Sequence, residues 1–295
     1  MIHVALGGLR VQIHHGDRAV EAALAERLGP FVEQPGNETA AAPADATLES
    51  RIVGDDAFPA EATALEVARR SSLPGGGTRI VRADFALDLV RGPRGWEGAA
   101  RERASPGRPT ESCLRLLLAA ALLDRGRLLL HAAATAFGPG DGAPAAVLFG
   151  PSGAGKTTFA YLAGACGADV LGDDLIVVGG GDGGSGGAAP SVWGTPFSGD
   201  RYPPGRPLCR PLRGLFALEH AAAGDDDALR EIDPAEAAQR LLRCVVSYRT
   251  DADAAGLVLR HAACLIAATP PAQLAFRPTA AAVWLVRTRV GTPAP

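Results

Sequence analysis

Lysine is all but missing from this sequence: of its 29 basic residues 28 are arginine, and Lys156 is the single lysine in 295 residues. Where arginine has taken over everywhere else, the one retained ammonium marks a place to look for chemistry that a compact point charge performs and a planar guanidinium does not. Paired cysteines are missing too. Cys113, Cys166, Cys209, Cys244 and Cys264 stand singly, in odd number and without CxxC spacing, which excludes a disulfide framework and a cysteine zinc site and predicts buried thiols in a reducing compartment. No window approaches the ~20 clean apolar residues of a membrane span. The most apolar stretch, Leu114 to Ala136, is broken by Arg115, Asp124, Arg125, Arg127 and His131 and predicts a helix followed by a strand. Met1-Ile2-His3-Val4 has neither a basic start nor a cleavage pattern, so the expectation is a cytoplasmic protein. With 47% apolar and 21% charged residues and a net charge of -3, composition gives no pull toward nucleic acid or a membrane.

Length allows one large domain and a small one. Residues 1–108 are expected to form a small α+β domain, with a helix over Arg18 to Leu28, a strand over Arg79 to Val90 and no catalytic motif. The neighbouring His14 and His15 lack a third ligand at metal spacing and are expected to be plain surface or strand residues. Arg101 to Thr110, rich in Arg, Pro, Gly and Ser, reads as a linker. Residues 109–295 change character: a helix over Ser112 to Asp124 leads into strands at Arg127 to Ala136 and Ala145 to Phe149. A helix to about Gly164 and a strand over Ala168 to Leu171 come next. After the apolar Leu175 to Val178, Gly179 to Gly187 is nearly all glycine and is expected to be a mobile hairpin tip. A strand at Leu212 to Leu218, helices opening at Asp233 and near Asp253, a strand at Gln273 to Phe276 and a helix over Thr279 to Val286 complete the chain. At Asp233-Pro234-Ala235-Glu236 the aspartate is a helix N-cap, with proline in the first turn and glutamate reaching back.

The lone lysine lies in Gly150-Pro151-Ser152-Gly153-Ala154-Gly155-Lys156-Thr157, which satisfies GxxxxGK[ST] at every fixed position between an apolar strand and a helix-compatible segment. Glycines let backbone N–H groups turn around a phosphate, and the helix N-terminus adds its positive end. This P-loop predicts a nucleoside triphosphate held by Gly150, Ser152, Gly153, Ala154, Gly155, Lys156, Thr157 and Thr158. Lys156 would neutralise phosphate oxygens, and the Thr157 hydroxyl would sit on a magnesium ion.

An acidic pair, Asp173 and Asp174, follows only 17 and 18 residues after Lys156, so one helix and one strand suffice to return it to the phosphates. A strand ending in Gly-Asp-Asp so soon after the P-loop resembles the HPr kinase/phosphorylase and phosphoenolpyruvate carboxykinase group. Leu130-His131-Ala132, where HPr kinases usually have His-Gly, is similar to the strand histidine of that group. Trp193-Gly194-Thr195-Pro196-Phe197-Ser198-Gly199 is similar to a loop of its kinase-like branch, with Arg210-Pro211-Leu212-Arg213 opening the next strand. The Glu-Arg-Gly signature of true HPr kinase/phosphorylases is absent, as is the additional lysine that carboxykinase chemistry requires. No LSGGQ-like signature points to an ABC-type ATPase.

The resemblance implies an α/β fold: a C-terminal P-loop domain of HPr-kinase/carboxykinase type with a smaller N-terminal α+β domain. It implies an ATP- and Mg2+-dependent kinase acting on a hydroxyl, most simply a serine or threonine of a peptide or protein, such as a precursor peptide of a modified natural product. A nucleotide-binding regulatory or assembly module with little or no turnover and a small-molecule alcohol kinase stay open, as do homo-oligomerisation and the choice of ATP over GTP. Asp173 and Asp174 would share metal binding and activation of the acceptor, since successive side chains on a strand end point to opposite sides. His131 would orient an aspartate, contact phosphate, or serve as a core histidine. Arg210 and Arg213 are candidates for a phosphate or acceptor contact or for ordinary surface roles. Thr195 and Ser198 would cover the site or merely shape a turn.

Overall fold

The computed structural model describes residues 1–33, 43–54, 57–58, 68–104, 108–180, 189–198, 205–222 and 225–291. They form a mixed α/β protein of two compact units, Met1–Asp124 with Ser247–Gly256, and Arg125–Val246 with Leu257–Pro295. Most of the glycine run, 181–188, and Gly199 lie outside the described residues.

The first unit is built on a seven-stranded mixed sheet. In chain order its strands are β1 (Ile2–Leu6), β2 (Leu9–His15), β3 (Ala46–Ile52), β4 (Arg69–Ser72), β5 (Thr78–Arg82), β6 (Phe85–Gly92) and β7 (Gly95–Glu102). Their spatial order is β1-β2-β3-β7-β6-β5-β4, with β3 parallel to β2 and to β7. Alternation sets the faces: Val4 and Leu6 on β1, and Phe85, Leu87 and Leu89 on β6, are all buried, each side chain contributing ~1.5–3 kcal/mol. Helix α1 (Arg18–Leu28) starts where expected, the Asp17 carboxylate accepting from the Ala19 and Val20 N–H groups as an N-cap does. The strand read over Arg79 to Val90 is instead the β5–β6 hairpin. It breaks at Ala83-Asp84, where both Asp84 oxygens take the Arg82 guanidinium at 2.6 Å.

Helix α2 (Arg108–Leu123) packs on β3, β6 and β7, so the unit ends at Asp124 rather than near 108. The expected linker over Arg101 to Thr110 is in part core. Glu102 ends β7 at 1% exposure, accepting from Ser50 Oγ and from Thr110 Oγ1 at 2.9 Å. A second departure is the return of Ser247–Gly256 to this unit. Arg249 anchors that segment, donating to Asp124 at 2.6 Å and to Asp251 at 2.7 and 2.8 Å, with its guanidinium over the Trp96 ring.

The second unit turns on two long strands that change partners along their length. On β8 (Arg127–Ala136) the first half pairs with β11 (Leu175–Gly179), and the second with β9 (Ala145–Phe149) and β10 (Asp169–Gly172). On β13 (Cys209–His220) the start pairs with β12 (Ser191–Trp193), the middle runs parallel to β9, and the end runs parallel to β15 (Ala272–Phe276). Strand β14 (Ala228–Glu231) flanks β15. The pairings β8–β11–β12–β13–β9–β8 therefore close on themselves. Every residue of β9 and β11 is buried, which explains their unbroken apolar sequences.

Helices α3 (Lys156–Ala165) and α6 (Ala280–Arg289) pack together, enclosing Leu148, Phe159, Phe216, Phe276 and Val283. Helix α4 (Pro234–Leu242) opens on the Asp233 N-cap as read. Helix α5 (Ala252–Ala268) begins in the first unit and continues in the second. Among the described residues no helix is long and apolar enough to cross a membrane.

Candidate functional site

Strand β9 ends at Phe149, and the chain turns through Gly150–Gly155 into α3. The loop needs its glycines for three separate reasons. Gly153 and Gly155 have φ of 82° and 98°, a region that side chains other than glycine avoid. A Cβ on Gly155 would also fall 2.7 Å from Phe276 Cζ, and one on Gly150 3.1 Å from Ala154 Cβ. Gly155 is the N-cap of α3 and supplies no capping side chain, so the first-turn N–H groups keep the anion-attracting character of a helix N-terminus.

Lys156 opens α3 and is 6% exposed. Its Nζ donates to the Gly150 and Pro151 carbonyls at 2.9 and 3.0 Å, and an ammonium has three protons to give. Burial holds its pKa below the ordinary lysine value, while Cys244 and Asp174 pull it back up. Cys244 sits on the same loop, Sγ 3.7 Å from the Gly150 oxygen. Burial pushes its thiol up, against the Gly150 hydrogen bond and the Lys156 charge.

The acidic pair occupies the bend between β10 and β11, two strands that share β8 as neighbour. Opposite them on β8, His131 places Nδ1 3.0 Å from Asp174 Oδ1. The backbone fixes that meeting: Ala132 N donates to Asp174 O at 3.1 Å and His131 N to Cys244 O at 2.7 Å. The His131 side chain is 43% exposed and Asp174 24%, so this is not a core histidine. Asp173 is 2% exposed, and Asp174 meets His131 and acts electrostatically on Lys156.

Behind the bend, Thr195 is wholly buried and donates its hydroxyl to Leu175 O. It shapes the turn that carries the aspartates and does not cover the site. Ser198 is half-buried two residues beyond Pro196. A cleft of about 600 Å³ opens in front of the loop, lined by Gly150–Ala154, His131, Leu218, His220, Arg240 and Arg243. Thr157 and Thr158 stand on the first turn of α3, half-buried and exposed respectively.

Two candidates lie elsewhere. In the parallel register Leu212 pairs with Ala145 at the start of β9 and Ala217 with Phe149 at its end, which separates Arg210 and Arg213 from the loop by the length of β9, roughly 13 Å. Arg210 is buried and bound to Asp141 at 2.9 Å and to Cys209 O at 2.8 Å. Arg213 lines a different hollow, with Arg289. His14 is exposed beside Glu21, and His15 is buried with Nε2 3.9 Å from Glu102. Of the cysteines, Cys113 and Cys244 are buried but Cys209 and Cys264 are exposed, because both of the latter occupy outward positions, on β13 and α5.

Sequence reading missed His220, Arg240, Arg243 and Cys244. For His220 a signal existed. In parallel pairs the C-terminal strand ends share one edge of the sheet, where α/β proteins gather their ligand contacts, and His220 ends a strand parallel to β9. For α4 and the turn after it no local pattern predicts that they cross the mouth of the loop.

Compared with protein-family models and with curated proteins, the chain matches none. What the arrangement can do follows from its groups: a buried lysine and uncapped helix amides attract an anion, and a carboxylate with an adjoining imidazole can take up a proton.

Proposed function

We propose that the second unit is an ATP-dependent phosphotransferase of the HPr-kinase-like kind, delivering the γ-phosphate to a hydroxyl of a peptide or protein. The observation that carries the proposal is the buried Lys156, held by the carbonyls of a glycine loop with two left-handed turns and acted on by the charge of Asp174, which itself pairs with His131. Lys156 and the α3 amides bind and orient the phosphates. As the acceptor oxygen bonds to the γ-phosphorus, the bond from that phosphorus to the β,γ-bridging oxygen breaks, ADP leaves, and the acceptor proton passes to Asp174. His131 holds the carboxylate in place to receive it.

Among the described residues no group of three or more His, Cys, Asp or Glu side chains is arranged to hold a metal alone. Magnesium fits without one, because it takes one or two carboxylates and completes its shell with phosphate oxygens and water. Thr157 and Asp173 would hold it, and its chemistry would be to neutralise charge on the phosphates.

The test is transfer from γ-labelled ATP to peptides and proteins encoded beside this chain, followed by mass spectrometry for phosphoserine or phosphothreonine. Asp174→Asn keeps shape but removes the charge, and is expected to leave ATP binding largely intact while lowering transfer by ~10²- to 10⁴-fold. Asp173→Asn is expected to lose transfer and to recover part of it in excess magnesium or manganese. A wild-type protein that binds ATP but labels no acceptor, with both variants behaving like it, would replace the kinase with a nucleotide-binding regulatory module.

A further inference from the structure

The glycine loop is held from the sheet side by a residue that none of the chemistry above uses. His220, the last residue of β13, brings Nε2 to 2.8 Å from the Gly153 carbonyl. A carbonyl only accepts, so Nε2 is the protonated nitrogen and the donor. The imidazole lies nearly parallel to Phe276, its register partner on β15, with ring planes at 21° and centroids 6.5 Å apart. Phe276 in turn meets Phe159 of α3 edge to face at 5.9 Å and fills the space that a side chain on Gly155 would need. The two left-handed glycines are thus each stopped by one ring: Gly153 by the His220 hydrogen bond and Gly155 by the Phe276 edge.

The peptide between Gly153 and Ala154 is pinned at both ends, its carbonyl by His220 and its N–H by the Pro151 carbonyl at 3.2 Å. Glycine has the largest backbone freedom of any residue, and a loop that must be ordered as a ligand arrives binds more weakly than one ordered beforehand. His220 itself is exposed in the cleft, so its hydrogen bond faces the solvent that would otherwise compete for the carbonyl.

We infer that His220 is a positioning residue that locks the Gly150–Gly155 loop in its phosphate-receiving shape; the inference rests on the nucleotide reading of that loop. The experiment compares wild type, His220→Ala and His220→Gln, the last of which keeps an N–H donor. Amide hydrogen exchange over residues 150–158 is measured in the nucleotide-free protein, and magnesium-ATP affinity by calorimetry. His220→Ala should exchange several-fold faster in that segment alone and bind ATP about tenfold more weakly, the usual size of one hydrogen bond's effect. His220→Gln should restore most of both. Unchanged exchange in His220→Ala, or equal losses in the alanine and glutamine variants, overturns the role of His220. If wild type binds no ATP, the nucleotide reading fails, while the exchange comparison still decides whether His220 holds the loop.

Discussion

Glu102 and Lys156 are both charged residues taken out of water, with opposite consequences. Burial raises the Glu102 carboxyl above the usual carboxylate range, against the opposing hydrogen bonds from Ser50 and Thr110 and the proximity of His15. The folded protein therefore holds this proton more tightly than the unfolded chain does. Between the ordinary glutamate value, about 4.3, and the raised native one, stability falls as pH rises. Glu102→Gln has no proton to lose, so its melting temperature should gain on wild type through that window and then hold a constant offset from it. A difference that does not change with pH would show that Glu102 is ionised without penalty. Lys156 is lowered by the same burial, with Cys244 and Asp174 acting in the opposite direction. A charge kept in this way, with two loop carbonyls as its partners, is suited to receiving phosphate rather than to holding a core together.

At the scale of elements, the segment from Ser247 to Gly256 shows how much a single side chain can organise. The Arg249 side chain is 8% exposed and ties Asp124, Asp251 and Trp96 together. Arg249→Ala leaves Asp124 with Arg91 and the Trp96 N–H, so the loss should be about 2 kcal/mol, as for a hydrogen bond to a charged group, and not that of an orphaned buried ion. Denaturant unfolding with an unchanged m-value checks this; a change under ~0.5 kcal/mol would make the contact incidental. Nothing in the sequence announces it, because a pairing of 249 with 124 depends on tertiary proximity alone. By contrast α1, α4, β9, β13 and β15 were legible within a few residues, each carrying its own cap or apolar run. Strands β1, β2, β3, β7, β12 and β14 were not, being short or carrying charge on one face. The site divides the same way. The glycine loop, Lys156 and the Asp173–Asp174 bend are written in local spacing, and the histidine on β8 was visible through its resemblance. His220, Arg240 and Cys244 reach the loop only through the pairing of β13 and the placement of α4.

For the molecule as a whole, every residue assigned to phosphate chemistry lies within Arg125–Val246 of the second unit, and the chain's one lysine is among them. The central claim is thus concentrated on a single side chain, whose removal leaves no other lysine to substitute. The decisive measurement is calorimetric titration of magnesium-ATP into wild type and Lys156→Ala, with circular dichroism confirming that both are folded. Charge-assisted hydrogen bonds contribute ~1.5–3 kcal/mol each, so the account predicts binding to wild type and an affinity at least about tenfold weaker in the variant. A folded Lys156→Ala protein that binds magnesium-ATP as tightly as wild type would contradict it.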